Sequence, residues 1–172
     1  MKLKSLLIGA AAALALLTPA MAQDVTLRLH QMLPPQATIP SLAIAPWAKK
    51  VEDESGGRIK VELYPSMQLG GAPPQLFSQA EDGVVDMIWT VLGYTPGRFP
   101  KSEAFELPFL MSTSAEETSA AFYNYVMANS ANEFDSVHII ALHTHGPGIF
   151  HTRNPVTKLE DPKGLKIRRT MG

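Results

Sequence analysis

The sequence predicts an α/β layer fold on a largely parallel sheet, and three observations carry that prediction. Residues 25–29 and 58–64 alternate apolar and polar side chains, the period of half-buried strands. Between them Ile44, Trp47, Ala48 and Val51 recur at the i, i+3, i+4, i+7 spacing of an amphipathic helix. Residues 84–91 form a mostly apolar run, interrupted by Asp86, as a central parallel strand does. Strands that alternate with helices imply βαβ units and hence a parallel sheet.

The chain has 172 residues, enough for one core or one lobe of a larger protein. Its start reads as a secretory signal: Lys2 and Lys4, an uncharged apolar run over residues 6–17, then Ala20-Met21-Ala22, with cleavage expected before Gln23. That run is too short to cross ~30 Å of hydrocarbon as a helix. No later stretch is long and charge-free enough to span. The mature chain is therefore expected to be exported and soluble. With 15 Lys plus Arg against 16 Asp plus Glu, there is no electrostatic case for binding nucleic acid or an anionic membrane. The lack of cysteine removes thiol catalysis and Cys-ligated metal sites.

Along the mature chain the first strand, residues 25–29, runs into a loop at Gln31-Met32-Leu33-Pro34-Pro35. A helix is expected over 41–54, with Pro46 kinking it or marking its first turn, and Gly56-Gly57 stopping it. The second strand puts Ile59, Val61 and Leu63 on one face. Pro73 and Pro74 open a short helix that ends at Gly83. After the strand at 84–91 come the turn formers of 93–100. Ser114 and Glu117 form a capping box for a helix that buries Phe122, Tyr125 and Val126. Residues 137–142 read as another buried strand, 150–152 as a short one, and 165–168 as the start of a further one. The chain stops four residues later, which reads as the opening of a second lobe in a truncated sequence.

Ligands of open α/β sheets settle beyond the carboxyl ends of the strands. The segments to examine are therefore Gln31 and Met32, residues 65–68 including Gln68, residues 89–94, and residues 143–148. His143 and His145 share a face if their segment is a strand, so one of them could donate to a ligand. A His-x-His pair with His151 also raises a zinc reading, but no carboxylate at ligand spacing completes the set, and no metal is assigned. No G-x-S-x-G, H-E-x-x-H or phosphate loop is present, so no catalysis and no cofactor are expected.

Five segments in order carry a family resemblance: residues 47–61 (WAKKVEDESGGRIKV), 64–70 (YPSMQLG), 82–87 (DGVVDM), 105–110 (FELPFL) and 159–168 (LEDPKGLKIR). Together they resemble the DctP-type substrate-binding subunit of tripartite ATP-independent periplasmic (TRAP) transporters. The resemblance implies a periplasmic binding protein-like clamshell of two lobes that delivers its ligand to an ion-gradient-driven permease. In that scheme residues 1–22 are the signal peptide and 23–146 the first lobe. Residues 147–172 hold the crossover and the start of the second lobe. The implied ligand is a small organic acid, a carboxylate or a sulfonate; a monomer is expected. A receptor that presents its ligand to a sensor kinase, or a secreted metal-dependent enzyme, are the alternatives.

The resemblance also implies site residues. Arg168 matches the family's arginine that clamps the ligand carboxylate, a role that suits its planar guanidinium fork. Trp89, Thr90 and Tyr94 fall in a segment that lines the cleft in relatives, Trp89 to pack on the ligand and Thr90 to hydrogen-bond it; Trp89 as an ordinary core residue is the competing reading. Where many relatives carry a second basic residue this chain has His145-Gly146-Pro147-Gly148, with Gly148 nearest that place. Met32 and Gln68 complete the expected lining.

Overall fold

A computed structural model describes residues 24–107, 110, 112–146 and 148–167. The expected signal peptide lies outside them. Three parallel strands form the sheet in the order β2-β1-β3: β1 (Val25–Gln31), β2 (Ile59–Tyr64) and β3 (Met87–Trp89). β1 is central because both neighbours pair with it, Leu29 standing opposite Leu63 on one side and Met87 on the other. The predicted α/β class and parallel sheet are what the structure shows.

The helix before β2 has two parts. A π-helical turn, Pro40–Ile44, leads into α1 (Ala45–Glu54). Proline is the reason for the change of winding: Pro46 has no N–H to give the turn beneath it, while the N–H of Ala45 reaches back to the carbonyl of Pro40. Pro46 thus marks the first turn of α1. Gly56 and Gly57, at φ 65° and 78°, end α1, and the Gly57 N–H closes on the Glu52 carbonyl at 2.8 Å.

The sheet carries a core on each face, as the two-residue period requires. Leu29 and Val61 meet Ile44 and Ala48 of the α1 side, with Leu27, Trp47, Val51, Met87 and Trp89 around them. The opposite face, through Ile88, meets an aromatic cluster of Phe77, Phe99, Phe122 and Phe134 with Val126. Phe77 belongs to α2 (Leu76–Glu81), and Phe122 and Val126 to α3 (Ala115–Asn129). Arg98 lies 4.4 Å above the Phe77 ring and pairs with Glu81. Ser114 caps α3 by accepting the Glu117 N–H at 3.2 Å. The return arm of the expected box is replaced: Ser112 Oγ takes the Ser114 N–H at 3.0 Å and donates to Glu117 at 3.2 Å.

Four strand expectations are corrected. The run 84–91 is a strand only over Met87–Trp89. Val84 and Val85 are spent on a turn, both N–H groups donating to the Gln79 carbonyl, and Asp86 ties the strand start to β1 by accepting the Arg28 N–H at 2.8 Å. Residues 137–142 form no strand. Val137, Ile139 and Leu142 pack on the aromatic cluster, but among the described residues no ladder forms there. Residues 150–152 and 165–167 are likewise without strand pairing, and Ile149 and Phe150 are exposed. An alternating pattern supplies faces; a strand also needs a neighbour for its N–H and C=O groups.

Candidate functional site

The carboxyl ends of the strands are laced together by backbone bonds. The Ser66 N–H donates to Leu33 O at 3.0 Å and the Met67 N–H to Gln31 O at 3.1 Å, so the loops after β1 and β2 lie side by side. Gln31 is buried, and its amide is closed on its own loop: Nε2 donates to Leu33 O at 2.8 Å, and Oε1 accepts the Leu33 N–H. Ser66 and Met67 take φ 54° and 57°, a left-handed pair that non-glycine residues adopt only where neighbouring bonds hold them. Met32, half-buried, and Gln68, exposed, are thereby brought to one rim.

His30 is fully buried beneath that rim, and sequence reasoning did not single it out. Its Nε2 accepts the Leu69 N–H at 3.3 Å and its Nδ1 lies 2.7 Å from Gln79 Oε1. A backbone N–H can only donate, so the ring is neutral with its proton on Nδ1. Gln79 in turn donates to Gly70 O at 3.2 Å, which fastens the 65–71 loop to α2. Gly71, at φ 84°, must stay small: a Cβ there would come within 2.8 Å of Gln79 Nε2. The only hint in the sequence was a histidine at the end of an alternating strand.

The third rim segment follows β3. Trp89 and Thr90 are half-buried, and a 3₁₀ turn at Leu92–Tyr94 presents Tyr94. Gly93 is buried against the Glu106 carboxylate, where a Cβ would collide, so Glu106 packs directly against this turn. Trp89 Nε1 donates to His143 Nε2 at 2.9 Å, with the two ring planes within 16° of parallel and their centroids 5.9 Å apart. His143, rather than His145, is the histidine that reaches this rim. His145 is exposed and its Nδ1 contacts the carbonyl of Gly146 at 2.5 Å. Gly148 is exposed on the segment beyond, and Arg168 lies outside the described residues.

Electrostatics around the sheet are local. The backbone N–H of Arg28, then its guanidinium, hold the Asp86 carboxyl below the usual carboxylate range. On the edge strand Lys60, followed by Tyr64, lowers Glu62, and the bond to Glu62 raises the Tyr64 hydroxyl. A shallow niche between the sheet and the Pro40–Ile44 turn is lined by Leu29, Gln31, Pro35, Ile44, Leu63 and Pro65 among others, with no charged side chain to meet an acid. Among the described residues no cluster of three or more His, Asp or Glu could hold a metal ion. No helix among them is long and apolar enough to cross a membrane.

The family model DctP, bacterial extracellular solute-binding protein family 7, matches residues 30–171. The chain belongs to this family. TsaT of Comamonas testosteroni, named an outer membrane transporter protein, is 30% identical over 97% of this DctP-family chain and 49% of its own length. The crystal structure of a marine metagenome TRAP solute-binding protein specific for aromatic acid ligands, holding metahydroxyphenylacetate, aligns with TM-score 0.70 and 52% identity over 72% of this chain and 39% of the other. A TRAP solute-binding protein from Rhodoferax ferrireducens T118 with copurified benzoate aligns with TM-score 0.68 and 52% identity over 71% and 38%. The chain thus spans about half or less of the length of these relatives.

Proposed function

We propose that this DctP-family chain is part of a periplasmic TRAP receptor that captures a small aromatic carboxylic acid, hands it to the membrane permease and catalyses nothing. The observation that carries the reading is the 52% identity to two receptors solved with aromatic acids. The rim agrees with it: an indole, a phenol and a thioether, from Trp89, Tyr94 and Met32, offer apolar surface to a ring. In this reading Arg168 grips the carboxylate in bidentate fashion, with Thr90, Gln68 and the Gly148 segment completing the lining. Residues 23–146 make the first lobe, 147–172 cross into the second, and the receptor works as a monomer after cleavage before Gln23.

Thermal unfolding of the complete polypeptide against a panel of acids tests this. Benzoate, hydroxybenzoates and arylacetates should raise the melting temperature, because a ligand at a hundred times its Kd adds about 2.7 kcal/mol to the folded form. Aliphatic dicarboxylates should not. Arg168→Ala should remove the benzoate shift. A panel in which only aliphatic acids stabilise the protein overturns the aromatic assignment.

A further inference from the structure

We propose that His143 is a positioning residue that locks the Trp89 indole as a flat wall of the cleft, so that the pair selects planar acids over puckered ones of equal size; this rests on the function proposed above. The indole N–H can only donate, so His143 Nε2 is the acceptor and the imidazole is neutral with its proton on Nδ1. The bond joins the rings edge to edge. With their planes within 16° of parallel and their centroids 5.9 Å apart, indole and imidazole present nearly parallel faces side by side.

Both members are held independently. Trp89 ends β3 opposite Gln31 and packs against the core of Leu29, Ala48 and Val61. The segment carrying His143 is pinned one residue later, where the Thr144 N–H donates to Ser119 Oγ of α3 at 2.9 Å. Rotating the indole about its own side chain would break the bond to His143, so the wall is set before ligand arrives. A planar aromatic ring can lay a whole face on such a wall. A saturated ring touches it only through its axial hydrogens.

The test compares benzoate with cyclohexanecarboxylate by calorimetry on the complete polypeptide. The wild type should favour benzoate by roughly three- to tenfold from ring contact of this kind. His143→Leu should bring the ratio close to one while leaving the melting temperature of the free protein unchanged, since His143 is exposed. His143→Gln, which keeps an acceptor, should retain most of the preference. Trp89→Phe, which keeps a ring without a donor, should lose it to the same degree as His143→Leu, and the double variant should lose no more. An unchanged ratio in His143→Leu, with benzoate still bound, overturns the positioning role alone. A wild type that binds neither acid overturns the functional reading and this inference with it.

Discussion

Residues 25–31 and 137–142 carry much the same message in sequence and meet different fates. Val25–Gln31 finds a parallel neighbour on either side and becomes the central strand, with Leu29 and His30 buried on opposite faces. Residues 137–142 also offer apolar side chains, and three of them pack on the aromatic cluster, yet among the described residues no ladder forms and Ile140 is exposed. Burial of side chains places a segment; pairing of its backbone makes it a strand. Farther along, Leu159 is 90% exposed, and the turn around it is held by Asp161, which accepts the N–H groups of Thr157 and Lys158.

The contrast predicts where substitutions will hurt. Phe99→Ala should cost the most, about 3–5 kcal/mol in denaturant unfolding, because the ring is wholly buried between Phe77 and Phe134 at 4.9 and 5.0 Å. His30→Ala should cost about 2–4 kcal/mol, since it leaves a cavity and strands the Leu69 N–H and Gln79. A cost below that of an average surface change would show that the rim is not anchored through His30.

Smaller effects sharpen the same contrast. Ser114→Ala should cost about 1 kcal/mol by removing the α3 cap, and circular dichroism should show the loss at the helix start. Asp86→Asn should cost less, under about 1 kcal/mol, because the carboxylate is more than a third exposed and screened by solvent. The folded form of Asp86 has a depressed pKa, so its contribution is complete above the unfolded value near 4 and is lost as pH falls through the lower folded value. Wild type and Asp86→Asn should therefore converge in stability on acidification below about pH 4. Leu159→Ser should change stability by less than about 0.5 kcal/mol. A large loss there would mean that this segment is packed as firmly as β1.

Much of the framework was legible because it rests on local chemistry. Pro46 and Gly56-Gly57 bound α1, Ser114 caps α3, and the alternation of 58–64 gives β2. The shared placement of the segments after β1, β2 and β3 was legible too, since parallel strands bring their carboxyl ends to one end of the sheet. His30 was not, because nothing in its neighbours along the chain foretells that Leu69 and Gln79 will close on its ring. Nor was the choice between His143 and His145, which depends on where β3 leaves the Trp89 N–H.

By itself the sequence determined the α/β class, the end of α1 at Gly56-Gly57, the cap of α3 at Ser114 and, through five ordered motifs, the family, all of which depend on residues near one another in the chain or on a pattern read along it. The tertiary structure decided which apolar runs became strands, which histidine met Trp89 and which was buried under the rim. Those outcomes depend on backbone and side-chain partners up to dozens of residues away, and only a folded chain brings such groups within hydrogen-bonding distance.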